Sequence, residues 1–238
     1  MTEEPYDGSW EGVWFPSQGQ LQVRNLSIRV TEEGEVASDV QVAVRSDVWP
    51  DWLSIAAAQR DAALEARASS PDREEQPQAF HAALTREFRG SVTSLCSSAF
   101  AMEAFANTVH HYVPSSKASG KSADARIHQT LQRAFILPND FSKESRRILQ
   151  EIFRFRDGAV HPAAAFTDPV GHPTWRVGME RRYVIFRVEN AVAAHLFAET
   201  TIKRCLRGPR NHGKEFTAWC SGMLAEMEAS SSRAGTGL

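Results

Sequence analysis

The chain has 238 residues, 42% hydrophobic and 24% charged, which is enough to bury a core and ordinary for a globular protein. No apolar run reaches the length that crosses a bilayer, so no membrane partner is expected. The net charge is −2, and three cysteines, Cys96, Cys205 and Cys220, lack paired-ligand spacing; reduced thiols in a cytoplasmic protein are the expectation.

The N-terminal Met1-Thr-Glu-Glu-Pro-Tyr-Asp7 is acidic and reads as neither a signal nor a transit peptide. Residues 1–50 form a small β-hairpin unit. Leu26, Ile28 and Val30 alternate with polar residues, as do Val40, Val42 and Val44, and Thr31–Glu35 makes the turn. Leu21 and Val23 alternate on the other parity, which points to a bulge near Asn25. Trp10, Trp14 and Phe15 are expected to cover one face of the hairpin. Residues 51–76 supply a helix from Trp52 to Ala68 and a polar linker.

From 77 to 228 the pattern is helical. Phe88, Val92, Leu95, Ala99, Met102, Ala106, Val109 and Val113 recur at steps of four and three within a helix spanning 77–113. That stripe suits a bundle or a partner chain, and Phe100 and Phe105 widen it. Residues 114–122 read as a solvated loop, and 123–137 as a shorter helix. The next helix starts near Asp140 and Ser142, either of which can cap it, and runs through Ile148, Leu149, Ile152, Phe153 and Phe155. An irregular stretch and a β-like run, Tyr183–Val188, precede helices over 189–206 and 214–228. Residues 229–238 read as a disordered tail.

Charge is unevenly placed. Residues 1–50 carry three Arg against nine acids, whereas 143–214 carry fourteen Lys and Arg against seven acids. The positive segment contains Arg156-Asp157-Gly-Ala-Val-His161, an always-charged guanidinium, a carboxylate and an imidazole at a helix terminus. Five positions set Arg156 and His161 about 140° apart on a helix. A site using both needs a bend at Gly158 or a second copy of the chain.

This Arg-x4-His motif with its polar second residue, following a long helix that carries Ala-Met-Glu-Ala-Phe-Ala-Asn, resembles the HEPN superfamily over roughly 77–207. The resemblance implies a mainly α, HEPN-like bundle, with the N-terminal hairpin unit making the chain α+β overall. It implies a homodimer whose seam completes the site, and a metal-independent endoribonuclease or RNA-binding protein of the toxin–antitoxin or phage-defence type, with no cofactor. In that reading His161 is general base or acid at the ribose 2′-hydroxyl and the departing 5′-oxygen. Arg156 stabilises the phosphorane charge, and Asp157 orients a partner. The other reading is a non-enzymatic interaction or dimerisation module with a vestigial motif, in which Arg156 and Asp157 cap helix carbonyls and the acidic hairpin unit binds a protein partner. Arg154, Arg181, Arg182, Lys203 and Arg204 are the candidate contacts to an RNA backbone, against a reading as solvated helix ends. A second copy, Arg207-Gly-Pro-Arg-Asn-His212, has the same spacing but reads as a helix-to-helix turn.

Overall fold

In a computed structural model, residues 20–30, 36–113, 122–160 and 168–235 are described. The chain divides into two compact units, Met1–Asp47 and Val48–Leu238.

In the first unit, β1 (Gln20–Val30) and β2 (Val36–Arg45) pair antiparallel. In the register of the ladder Leu21 is partnered with Val44, Val23 with Val42 and Leu26 with Val40. A register shift between Val23 and Asn25 leaves Arg24 as the extra residue, next to the expected position. The turn and Trp10, Trp14 and Phe15 lie outside the described residues.

The second unit is a helical bundle. Its helices are α1 (Trp49–Ala68), α2 (Pro77–Tyr112), α3 (Ala123–Ala134), α4 (Asn139–Val160), the short α5 (Arg181–Ile185), α6 (Val188–Arg207) and α7 (Lys214–Gly235). A two-residue ribbon, β3 (Val170–Gly171) against β4 (Gly178–Met179), lies before α5. Both α1 and α2 begin with proline in the first turn, where a missing N–H costs nothing.

Packing of α1 on α2 depends on small residues. A Cβ on Gly90 would come within 2.9 Å of the Gln59 carbonyl, and Ser94 Oγ donates to the Ala56 carbonyl at 2.8 Å. Ala56, Ala63, Ser94 and Ser98 are all buried along this seam. The other half of the core is aromatic. Phe105, wholly buried, meets Trp49 edge-on at 5.4 Å and stacks on Phe135 and Trp219 at 5.8 and 6.0 Å. Such pairs add about 0.5–1.5 kcal/mol each beyond the area they bury.

Three local expectations change. Tyr183–Val188 is not a strand: α5 covers its start, Phe186 is buried, and Val188 opens α6. Ser142 does not cap α4; its hydroxyl is buried and engages Gln132 and His128 of α3. α7 continues to Gly235 and does not stop at Glu228. Within the 88–113 stripe, Leu95, Ala99, Met102, Ala106 and Val109 are buried in this one chain, and Phe88 packs on Tyr183 and Phe186 at 4.5 and 6.0 Å. A second copy would therefore meet a different surface.

Candidate functional site

The end of α4 is positioned by its buried face. Leu149, Ile152 and Phe153 point into the core, and Arg156 follows one turn later on the same side. Its guanidinium carbon lies 4.5 Å from the centre of the Phe153 ring. Nη1 donates to Glu103 Oε2 on α2 at 2.9 Å; Nη2 and Nε donate to Asp157 Oδ1 at 2.7 and 3.0 Å. Arg156 is 17% exposed, against 33% for Glu103 and 59% for Asp157. Among the described residues its partners are carboxylates and not helix carbonyls, so it holds α4 to α2. Its charge reaches Cys96, whose thiol burial pushes up and Arg156 partly brings back down.

Helix α4 runs unbroken through Gly158 to Val160, with nothing within 4 Å of a Cβ added at Gly158. Of the two ways in which one site could use both Arg156 and His161, a bend at Gly158 is not seen up to Val160. His161 and Asp140's side chain lie outside the described residues.

A cavity of about 450 Å³ opens on another face of the same helix. It is lined by Arg154, Phe155 and Gly158 of α4, by Arg181, Arg182, Val184 and Ile185 of α5, by Phe186 and Arg187 after it, and by Asn190 of α6. Arg154 and Arg156, two positions apart, lie about 160° apart around α4. The cavity is therefore separate from the Glu103–Arg156 clamp. Three of the five expected RNA contacts converge here. Arg182 is paired with Glu180, which holds that carboxyl below its usual range, and Arg187 lies 3.6 Å from Glu189.

The other two are elsewhere. Lys203 pairs with Glu199 one turn back at 2.6 Å, and Arg204 lies over the Phe141 ring at 4.5 Å, at the start of α4. The second Arg-x4-His copy is a turn that closes the end of α3. Gly208 accepts from Ile136 N–H at 2.7 Å, Arg210 N–H donates to Ala134, and His212 Nε2 bonds the Arg133 carbonyl at 3.0 Å. Arg207 instead reaches Glu228 on α7.

Sequence reasoning missed a buried polar centre. Arg67 on α1 donates from Nε to Glu87 Oε2 at 2.7 Å and from Nη2 to Oε1. It also donates from Nη1 to Glu189 Oε1 at 3.0 Å. Burial opposes the charge on Arg67, but Glu87 and Glu189 outweigh it and its pKa stands above the ordinary value. Glu87 further accepts from the Val188 N–H, capping α6 from a neighbouring helix. Trp175 lies 5.1 Å beneath the Arg67 guanidinium. His172, 1% exposed, accepts the Thr174 and Trp175 N–H groups at Nδ1, which assigns its proton to Nε2. Together these contacts hold the β3–β4 turn against α1, α2 and α6. The only sequence signal was an acid, Glu87, beside an apolar stripe.

Among the described residues, no three His, Cys, Asp or Glu side chains are grouped to hold a metal ion. No described helix is long and apolar enough to cross a membrane. No protein-family model, no curated protein and no solved structure matches this chain.

Proposed function

We propose that this protein acts on RNA as a cytoplasmic, HEPN-like helical protein of the toxin or phage-defence type, dimeric when active and cleaving without a metal. The observation that carries this reading is the clamp on Arg156. Two carboxylates and an aromatic face fix a guanidinium at the end of α4, five residues before His161. A fixed guanidinium is what stabilisation of a pentavalent phosphate requires, because donors already in place need no reorganisation as charge develops. Glu103, to which sequence reasoning gave no role, becomes the residue that positions Arg156. His161 supplies the proton transfer, worth about 10²–10⁴-fold.

The test is cleavage of labelled single-stranded RNA in EDTA. Cleavage by the wild type, lost in Arg156→Ala and His161→Ala while both remain folded, is the expected result. No cleavage across a broad panel of RNAs sinks the catalytic reading.

One observation favours the alternative of a non-cleaving interaction module. Glu103 and Asp157 together carry two negative charges against the single positive charge of Arg156, so the clamp is not electropositive by itself. No cleavage over the same RNA panel, with self-association or binding of a protein partner unaffected by His161→Ala, is the outcome that reading requires.

A further inference from the structure

We propose that the cavity between α4, α5 and the start of α6 is a single-nucleotide pocket, holding one nucleobase with its attached phosphate. The proposal deepens the RNA reading and rests on it for the nature of the ligand.

The composition of the cavity is divided. Its floor is apolar, from Phe155, Val184, Ile185 and Phe186; its rim carries four arginines and no acid. Two of those four have acidic neighbours, Arg182 with Glu180 and Arg187 with Glu189. Arg154 and Arg181 have no ion pair with any described residue and are exposed. Two uncompensated guanidinium groups lining one cavity together with apolar side chains complement a ligand that is anionic at one end and flat and apolar at the other. Guanidinium forks match phosphate oxygens in pairs. The Arg154 guanidinium carbon already lies over the Phe155 ring, 5.1 Å from its centre, an aromatic face on which a nucleobase can stack. Asn190 adds a base-edge contact: its Nδ2 is committed to the Ile185 carbonyl at 2.7 Å, which leaves Oδ1 as an acceptor. About 450 Å³ falls low in the roughly 300–1,000 Å³ range of small-ligand sites, room for one nucleotide and not for a folded partner.

Gly158 gives the proposal a steric handle. It lines the cavity, is exposed, and has open space around an added Cβ. A larger side chain there starts from a Cβ with no neighbour within 4 Å, enters the lining of the cavity and leaves the charge unaltered.

The nucleotide has two sources, a unit of an RNA chain or a free nucleotide, and the experiment separates them. Binding of AMP, adenosine, inorganic phosphate and a tetraadenylate RNA is measured by calorimetry on the full chain carrying His161→Ala, in which cleavage is removed. Failure of the pocket is thus distinct from failure of the ribonuclease reading. AMP is expected to bind at least about tenfold more tightly than adenosine or phosphate. The double variant Arg154→Ala/Arg181→Ala is expected to lose about a hundredfold and Gly158→Leu about tenfold. Arg73→Ala, on the linker, is expected to stay within about twofold. Tetraadenylate binding about tenfold tighter than AMP assigns the pocket to an RNA chain; equal affinities assign it to a free nucleotide. No nucleotide binding, phosphate binding as tightly as AMP, or affinity unchanged in both Gly158→Leu and the double variant overturns the proposal. Circular dichroism of Gly158→Leu, with its helical signal retained, shows that the loss is local.

Discussion

Arg67 on α1 and Glu87 on α2 form a two-pronged ion pair in the interior, with Nε donating to Oε2 at 2.7 Å and Glu87 only 2% exposed. Removing one partner of such a pair strands the other's charge in a medium that solvates it poorly. Glu87→Gln also weakens the cap on the α6 N-terminus. A loss near 3 kcal/mol, about the lower end for a broken buried pair, is expected, since Glu189 still faces Arg67. Urea unfolding checks this. Replacing both residues by apolar ones of similar volume, Arg67→Met with Glu87→Leu, should recover much of the loss. A pair of independent, additive losses would show that the two side chains do not act together.

Stability is expected to decline as pH falls below about 6.5 because two buried histidines fold in the neutral form. Burial holds His172 below its ordinary pKa, with Arg67 adding to the effect and Glu87 opposing it. Burial likewise lowers His195, helped by Arg60, whose Nη1 donates to His195 Nδ1 at 2.8 Å. A depressed native pKa means that the unfolded chain takes up protons first. The contribution is therefore complete above the unfolded value of 6.5 and is lost as pH falls through the native one. Urea midpoints measured between pH 8 and 5 should drop toward the acid end. His172→Gln and His195→Gln should each start lower and show a flatter slope. A midpoint that rises on acidification would contradict the neutral assignment.

Much of the helical plan was readable because periodicity is a local property. The stripe through Leu95, Met102 and Val109 needed no knowledge of its partners. Tyr183–Val188 defeated the same method because a short aromatic and β-branched run carries strand propensity, which packing overrode. Phe186 is drawn under Phe88, and Asn190 donates back to the Ile185 carbonyl. Long-range charge pairing was equally illegible. Glu87 looks like a solvated acid until Arg67, twenty positions earlier on another helix, is seen facing it. The basic pairs could be picked out individually. Only the fold shows that Arg154, Arg181 and Arg182 share one cavity while Lys203 and Arg204 do not.

Two glycines on helices should respond to alanine in opposite directions. At Gly90 a methyl group would meet the Gln59 carbonyl at 2.9 Å and Ala63 Cβ at 3.1 Å, so α1 and α2 must move apart. About 1–3 kcal/mol of overpacking strain exceeds the helix-propensity gain of about 1 kcal/mol, and Gly90→Ala should lower the midpoint. Gly158 lies exposed in the last turn of α4 with open space around it, so Gly158→Ala gains propensity alone and should raise it by a part of the about 1 kcal/mol that applies in a helix interior. Thermal melts of the two variants side by side decide the matter. Shifts of the same sign would mean that the α1–α2 seam tolerates a methyl group.

Cys96 offers a readout of Arg156 that does not depend on any activity. Burial raises its thiol pKa, and the nearby Arg156 charge offsets part of that rise. The thiolate is the species that reacts with iodoacetamide, so its fraction at pH 8 sets the rate. Arg156→Met removes the charge, keeps most of the bulk over Phe153, and should slow alkylation of Cys96 severalfold. Cys205 and Cys220 do not interfere: both are buried, Cys205 strongly raised and Cys220 pushed up to about 12, so the native chain should show one reactive thiol. Mass-spectrometric counting after partial labelling separates the sites. An unchanged Cys96 rate in Arg156→Met would mean that the guanidinium does not rest against α2 in solution. The clamp on which the RNA-acting reading stands would then be absent.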